Sequence, residues 1–227
     1  CGALLIGIVF IRHEGRVEDP IVDIEIMRGR PFVAANVYNF VYGAGVIGVM
    51  SLIPMFAIGV YHMSYLESGL ILVPRAVGMF VTSTLVSMFM MRLGYRRPIV
   101  VGTALASVSL ILLAIEPGQL RLAGEELDGA AALSFIVLVM GLGVGMAAPA
   151  SNNACIELMP QRAATITGIR GMFRQAGGAV SITASTLVLY QVGDLALGFR
   201  VVFVGLALAL AATLPAILAM PRSPQRM

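Results

Sequence analysis

The sequence predicts an all-α integral membrane protein, and three observations carry that reading. Of 227 residues, 59% are hydrophobic and only 12% are charged. The mean hydropathy is +0.93. A soluble globular chain carries about 25% charged residues, so this one has too little charge to keep a surface wet. Apolar runs of roughly 20 residues, the length that crosses a bilayer as a helix, recur along the whole chain.

The first ten residues, CGALLIGIVF, are apolar and lead straight into charges. A signal peptide has its basic residues before the apolar run, so residues 1–11 are expected to be the end of a truncated span whose beginning is missing. A loop over residues 12–31 follows. Six complete spans are then expected, over residues 32–60, 68–91, 98–115, 130–156, 163–192 and 201–220. They make a membrane bundle over 32–221, with a tail at 222–227.

All 15 basic residues are arginine. Arg12, Arg16, Arg28 and Arg30 precede the first complete span, and the next joining segment, YHMSYLE, has none. Arg92, Arg96 and Arg97 follow the second span, and acidic residues dominate 116–129. Arg162 precedes the fifth span, Arg200 alone lies between fifth and sixth, and Arg222 and Arg226 close the chain. This alternation follows the positive-inside rule. It places the 12–31 loop and the C-terminus in the cytoplasm, with the bundle in the inner (plasma) membrane. Arginines spread over membrane-side loops form no basic face, which excludes nucleic acid as a partner.

Polar residues divide the spans. Asn36, Tyr38, Asn39 and Tyr42 lie in the first, and Arg75, Thr82, Ser83 and Thr84 in the second. Asn152 and Asn153 lie in the fourth, and Arg170, Arg174, Gln175, Ser181 and Ser185 in the fifth. The third and sixth are plain. Intramembrane polar groups face a bundle interior or a water-filled cavity, so four spans line something and two are peripheral. That three-span period is the internal repeat of many transporters.

Several stretches resemble the major facilitator superfamily, and within it the 14-span drug/proton antiporter branch. RHEGRVEDPIVDIEIMRGRPF (Arg12–Phe32), LESGLILVPRAVGM (Leu66–Met79) and PASNNACIELMPQRAATITGIRGMFRQAGGAV (Pro149–Val180) carry the likeness. It implies the six-helix C-terminal bundle of a major facilitator transporter, following the end of a preceding span. SMFMMRLGYRRP (Ser87–Pro98) is similar to the superfamily's cytoplasmic loop motif, but Ser87 replaces a glycine and Met91 a carboxylate. Arg92, Gly94, Arg96 and Arg97 remain, leaving a turn with basic anchors.

Each candidate has a plain alternative. Arg75 follows Pro74, which frees a carbonyl and can kink a helix; it shapes a cavity or snorkels to the headgroups. Gly141 and Gly145 have the spacing of close helix packing. Asn36, Asn39 and Tyr42 share a face and make either a cavity wall or ordinary interhelical bonds. Arg170, Arg174, Gly177, Ser181 and Ser185 share another. There Arg174 is expected at the cytoplasmic edge, with Arg170 a turn outside it as an anchor. His13 and His62 fall in loops, Glu67 and Glu157 at span ends, and Cys155 reads as a small buried residue.

The expected function is proton-coupled export of amphipathic drugs or similar small molecules, with Asn36, Asn39, Tyr42, Arg75, Arg174 and Gln175 as the substrate wall. The expected partners are substrate, protons, membrane lipid and the missing N-terminal half, which the resemblance implies holds the proton-carrying acids. No enzyme, cofactor or metal is expected: the chain has no nucleophile–base set, phosphate loop or metal-ligand cluster. Two alternatives stay open. One is a non-transporting membrane sensor or structural module. The other is an exporter of an anionic metabolite, favoured by unpaired Arg75, Arg170 and Arg174.

Overall fold

The computed structural model describes residues 29–115, 121–122, 125–126, 129–157 and 160–217. The expected truncated span (1–11), most of the 12–31 loop and the 222–227 tail lie outside the described residues. Six long helical segments run in order: α1 Arg30–Tyr61, α2 Tyr65–Leu93, α3 Arg96–Ala114, α4 Gly129–Ile156, α5 Ala163–Val192 and α6 Leu195–Ile217. Between α3 and α4, Arg121–Leu122 (β1) pairs antiparallel with Glu125–Glu126 (β2).

Five of these segments are long and apolar enough to cross a membrane. The exception is α5, which has the length, 30 residues. Its glycines, serines, threonines and two arginines lower its hydropathy, so the sequence's count of six spans rests on length at that position.

Local chemistry sets the boundaries. His62 closes α1 with φ 53°, in the left-handed region, and its N–H donates to the Ala57 carbonyl. Ser64 and Glu67 then open α2 with a reciprocal capping box: Glu67 N–H donates to Ser64 Oγ at 3.3 Å, and Ser64 N–H to Glu67 Oε2 at 2.8 Å. Two orphan amide donors are satisfied at once. Gly94, at φ 69°, ends α2; the turn read in RLGYRR needs a residue free of the Cβ clash there. Asp194 caps α6 by accepting from Ala196 N–H at 2.9 Å and Leu197 N–H at 3.3 Å.

That last cap corrects the sixth span, expected from 201. The helix starts at Leu195, so Arg200 is a helical residue and not part of a loop. Its Nε donates to the Ala114 carbonyl at 2.9 Å, satisfying an orphan carbonyl at the end of α3. An arginine thus sits on an arginine-poor side because it caps a helix.

Within α1 the helix widens into a π-turn at Ala44–Gly48, and Pro54 lies in its second half. Packing is tightest where glycines meet. α4 uses alternate residues for two neighbours: Gly141 lies against the backbone of Arg75 in α2, and Gly143 against Gly102 in α3. Close approach at Gly141 and Gly145 is therefore as expected from their spacing. On the other side of the bundle, Gly43 of α1 lies against the Arg174 carbonyl and Gly177 of α5 against the Phe40 carbonyl.

Toward one end, Phe56 of α1 meets Phe199 and Phe203 of α6 edge-on, with centroids 5.0 and 5.2 Å away. The plain spans α3 and α6 pack against each other, and α3 also packs along α4. Much of α2 and α5 remains exposed, including Phe80, Met88, Met172 and Tyr190.

Candidate functional site

The polar residues singled out from the sequence gather along the α1–α4–α5 seam, but they are used in two ways. Asn39 and Tyr42 are fully buried. Asn39 Nδ2 donates to the Ala35 carbonyl at 2.8 Å, and its Oδ1 accepts from Ser151 Oγ at 3.2 Å. Tyr42 donates to the Val144 carbonyl of α4 at 3.3 Å. One turn back, Tyr38 and Thr103 of α3 share a hydrogen bond at 3.1 Å. The rings of Tyr38 and Tyr42 lie 5.5 Å apart. These groups bond α1 to its neighbours. Asn36 lies nearer the start of α1, and its Nδ2 donates to the Phe32 carbonyl at 3.0 Å.

The arginines are placed differently. Arg174, half-buried, holds its guanidinium carbon 5.4 Å from the Tyr42 ring centroid. That is cation–π distance, and such a contact contributes about 0.5–2 kcal/mol. Arg170 is 8% exposed and reaches α4, donating to Asn152 Oδ1 and the Ala148 carbonyl, both at 3.4 Å. Arg170, expected as an anchor, is thus bonded to α4. Its helix begins at Ala163, which puts it roughly 10 Å in at 1.5 Å per residue, and its side chain is enclosed by α4. Sequence spacing could not reveal this, because the partners lie on another helix.

Arg75 of α2 is half-buried beside Gly141. Its Nε, and the Nε atoms of Arg170 and Arg174, are buried without a hydrogen-bond partner. No carboxylate among the described residues pairs with any of the three. Arg174 thus lies beside Tyr42, Arg170 one turn earlier on α5 reaches α4 at Ala148, and Arg75 lies against α4 at Gly141. Gln175 is exposed on α5, on a different side of the helix from Arg170 and Gly177.

A narrow crevice with no room for a water molecule lies among Phe32, Ala35, Asn36, Cys155, Ile166 and Arg170. Cys155 is buried there, as the sequence suggested, and accepts from Asn39 Nδ2 at 3.5 Å.

Outside the seam, Tyr95 donates to Glu157 Oε2 at 2.8 Å, tying the α2–α3 turn to the end of α4. Burial first, then this bond and the charge of Glu157, push the phenol up to about 12. No group of three or more potential metal ligands occurs among the described residues.

The profile of the Major Facilitator Superfamily matches residues 5–182. The chain belongs to that superfamily. A multidrug transporter protein of Bacillus subtilis, MdtP, is 30% identical over 183 residues, covering 79% of this chain and 32% of the relative. A multidrug resistance protein B homolog of Mycobacterium tuberculosis is 28% identical over 80% of this chain and 33% of its own length. The tetracenomycin C resistance and export protein of Streptomyces glaucescens is 28% identical over 82% of this chain and 33% of its own length. The chain spans about a third of the length of these relatives. It is a multi-pass membrane protein of a transporter family that includes multidrug efflux proteins.

Proposed function

We propose that this protein is a secondary active transporter that exports amphipathic drugs or similar small molecules in exchange for protons. The observation that carries this reading is the similarity to the B. subtilis multidrug transporter protein over 79% of the chain. The geometry supports it. Arg174 lies over Tyr42 on the α1–α5 seam and Arg75 lies against α4 at Gly141, which suits a cavity facing α1, α2, α4 and α5. In this reading Arg75, Arg174 and Gln175 contact substrate. Asn36, Asn39 and Tyr42 form the wall behind them, with Asn39 and Tyr42 holding its shape. Two bundles rock about the central cavity. In this reading the protein sits in the plasma membrane with its C-terminus in the cytoplasm, the orientation that the arginine alternation favours.

The test is ethidium transport in everted vesicles containing the intact protein. An imposed proton gradient should drive accumulation that a protonophore abolishes. Absence of gradient-dependent flux for ethidium and for a panel of amphipathic drugs would leave the non-transporting alternative standing.

A further inference from the structure

Halfway along α1 the helix changes its winding. A π-turn occupies Ala44–Gly48, and just beyond it Val49 N–H donates to the Val46 carbonyl, three residues back instead of four. Three of the seven residues from 43 to 49 are glycine, the residue that holds a helix least firmly. Pro54 follows within two turns and leaves the Met50 carbonyl without its helical donor. The halves on either side are held by different neighbours. Residues 30–43 are bonded to α3 and α4, through Tyr38 to Thr103, Asn39 to Ser151 and Tyr42 to the Val144 carbonyl. Residues 49–61 meet α6, where Phe56 packs on Phe199 and Phe203 and Gly59 lies against Leu195.

The π-turn itself is gripped by α5. Gly43 lies against the Arg174 carbonyl, Gly178 against Ile47, and Gly48 against Ser181 Oγ. Ser181 is 4% exposed, and its hydroxyl has no hydrogen-bond partner among the described residues. Thr167, Thr183 and Thr186 of the same helix each donate to the carbonyl four residues back. Ser181 instead points its Oγ into the notch left by the missing Gly48 Cβ. A buried hydroxyl without a bond works against the arrangement that encloses it.

We propose that the π-turn is a joint in α1, about which residues 49–61 move with α6 while 30–43 stay with α3 and α4, and that Ser181 tips it between two states. In the state seen here the hydroxyl fills the notch unbonded. When Gly48 withdraws, Ser181 turns back to the Gly177 carbonyl, as its threonine neighbours do to theirs. That bond favours the moved state and offsets the packing lost on leaving the notch. The two states then lie close in free energy, as a two-state element requires. This joint works inside one bundle and is additional to the rocking of two. Its use in export rests on the transporter reading; its existence does not.

Hydrogen–deuterium exchange of the intact protein, with thermal melting and ethidium flux on the same preparations, tests this. Amides of residues 44–49 should exchange about tenfold faster, or more, than those of 101–107 in the uninterrupted helix α3. Gly45→Ala adds a methyl 3.5 Å from Leu210, an ordinary contact, and removes backbone freedom at the turn. Ser181→Ala removes the hydroxyl that favours movement. Each should slow exchange at 44–49 and leave melting unchanged or raised, while flux per folded molecule falls by about threefold or more. A merely structural role for either residue would lower melting and flux together. Gly205→Ala on α6, where a methyl meets nothing within 4 Å, should leave both exchange at 44–49 and flux as in wild type. The proposal is overturned if 44–49 exchanges as slowly as 101–107, if either joint variant leaves that exchange unslowed, or if slowed exchange leaves flux per folded molecule unchanged. Should wild type carry no ethidium, the transporter reading fails, and exchange alone supports or overturns the joint.

Discussion

The α3–α4 seam and the α1–α5 seam are both closed by facing glycines, yet only the second has charge beside it. Between α3 and α4, Gly102 and Gly143 lie against each other's carbonyls, flanked by Ala106 and Ala147. Between α1 and α5, Gly43 and Gly177 let the backbones of Phe40 and Arg174 approach just as closely, and Arg174 then lies over Tyr42. Absence of a Cβ sets how near two helices come. What the contact does depends on the side chains one turn away, which are alanines in one seam and an arginine–tyrosine pair in the other.

The strongest way to break the comparison is to add bulk to each seam. Gly102→Val and Gly177→Val both place side-chain atoms where backbone already sits. Each should destabilise by about 1–3 kcal/mol or more, read as a lower melting temperature of the purified protein. Transport should separate the two at the milder Ala substitution. Gly177→Ala is expected to reduce ethidium flux by more than its loss of folded protein, because it displaces Arg174, whereas Gly102→Ala reduces flux only in proportion to folded protein. Equal flux per folded molecule would remove the functional distinction between the seams.

A smaller effect is expected at the Tyr95–Glu157 tie, which lies outside both seams. Tyr95→Phe should cost about 1.5 kcal/mol, the low end for a hydrogen bond to a charged group, with flux per folded molecule unchanged. The folded phenol titrates near 12 against an ordinary value of 10. The neutral form is thus favoured by folding, so the contribution is full below pH 10 and is lost as pH rises through 12. Melting of wild type and Tyr95→Phe should therefore differ at pH 8 and converge toward pH 12. A constant gap across that range would contradict the bond.

The smallest effect belongs to the polar stitching that joins the seams. Tyr38→Phe removes the bond to Thr103, and interhelical bonds in membranes average about 0.6 kcal/mol. A melting loss of several kcal/mol would mean that Tyr38 has a role the hydrogen bond does not express.

Much of the fold was legible in the sequence. The fifth span, 163–192, matches α5 residue for residue, and the fourth, 130–156, misses α4 by one residue. Apolar length and arginine alternation are local signals, and they locate helices. The glycine spacing at Gly141 and Gly145 also predicted a close contact, though not that Gly143 between them serves another helix. Less of the site was legible. Helical spacing groups Asn36, Asn39 and Tyr42, but the bonds of Asn39 to Ser151 and Cys155 and of Tyr42 to Val144 depend on how α4 crosses α1. Charge usually marks a span's edge, so from sequence Arg170 reads as an anchor and Arg200 as a loop residue. Burial against α4 and a bond to the end of α3 override that rule, and both partners are distant in sequence.

The most direct test of the central claim is proton-driven ethidium transport by the intact protein in everted vesicles, comparing wild type, Arg174→Gln and Arg92→Gln at matched amounts of folded protein. Wild type and Arg92→Gln should accumulate ethidium under an inward-acid gradient and lose it when the gradient collapses, while Arg174→Gln falls at least tenfold. Gradient-dependent flux that is equal in all three would contradict a role for the arginine–tyrosine seam in transport, and absence of flux in wild type would contradict the transporter itself.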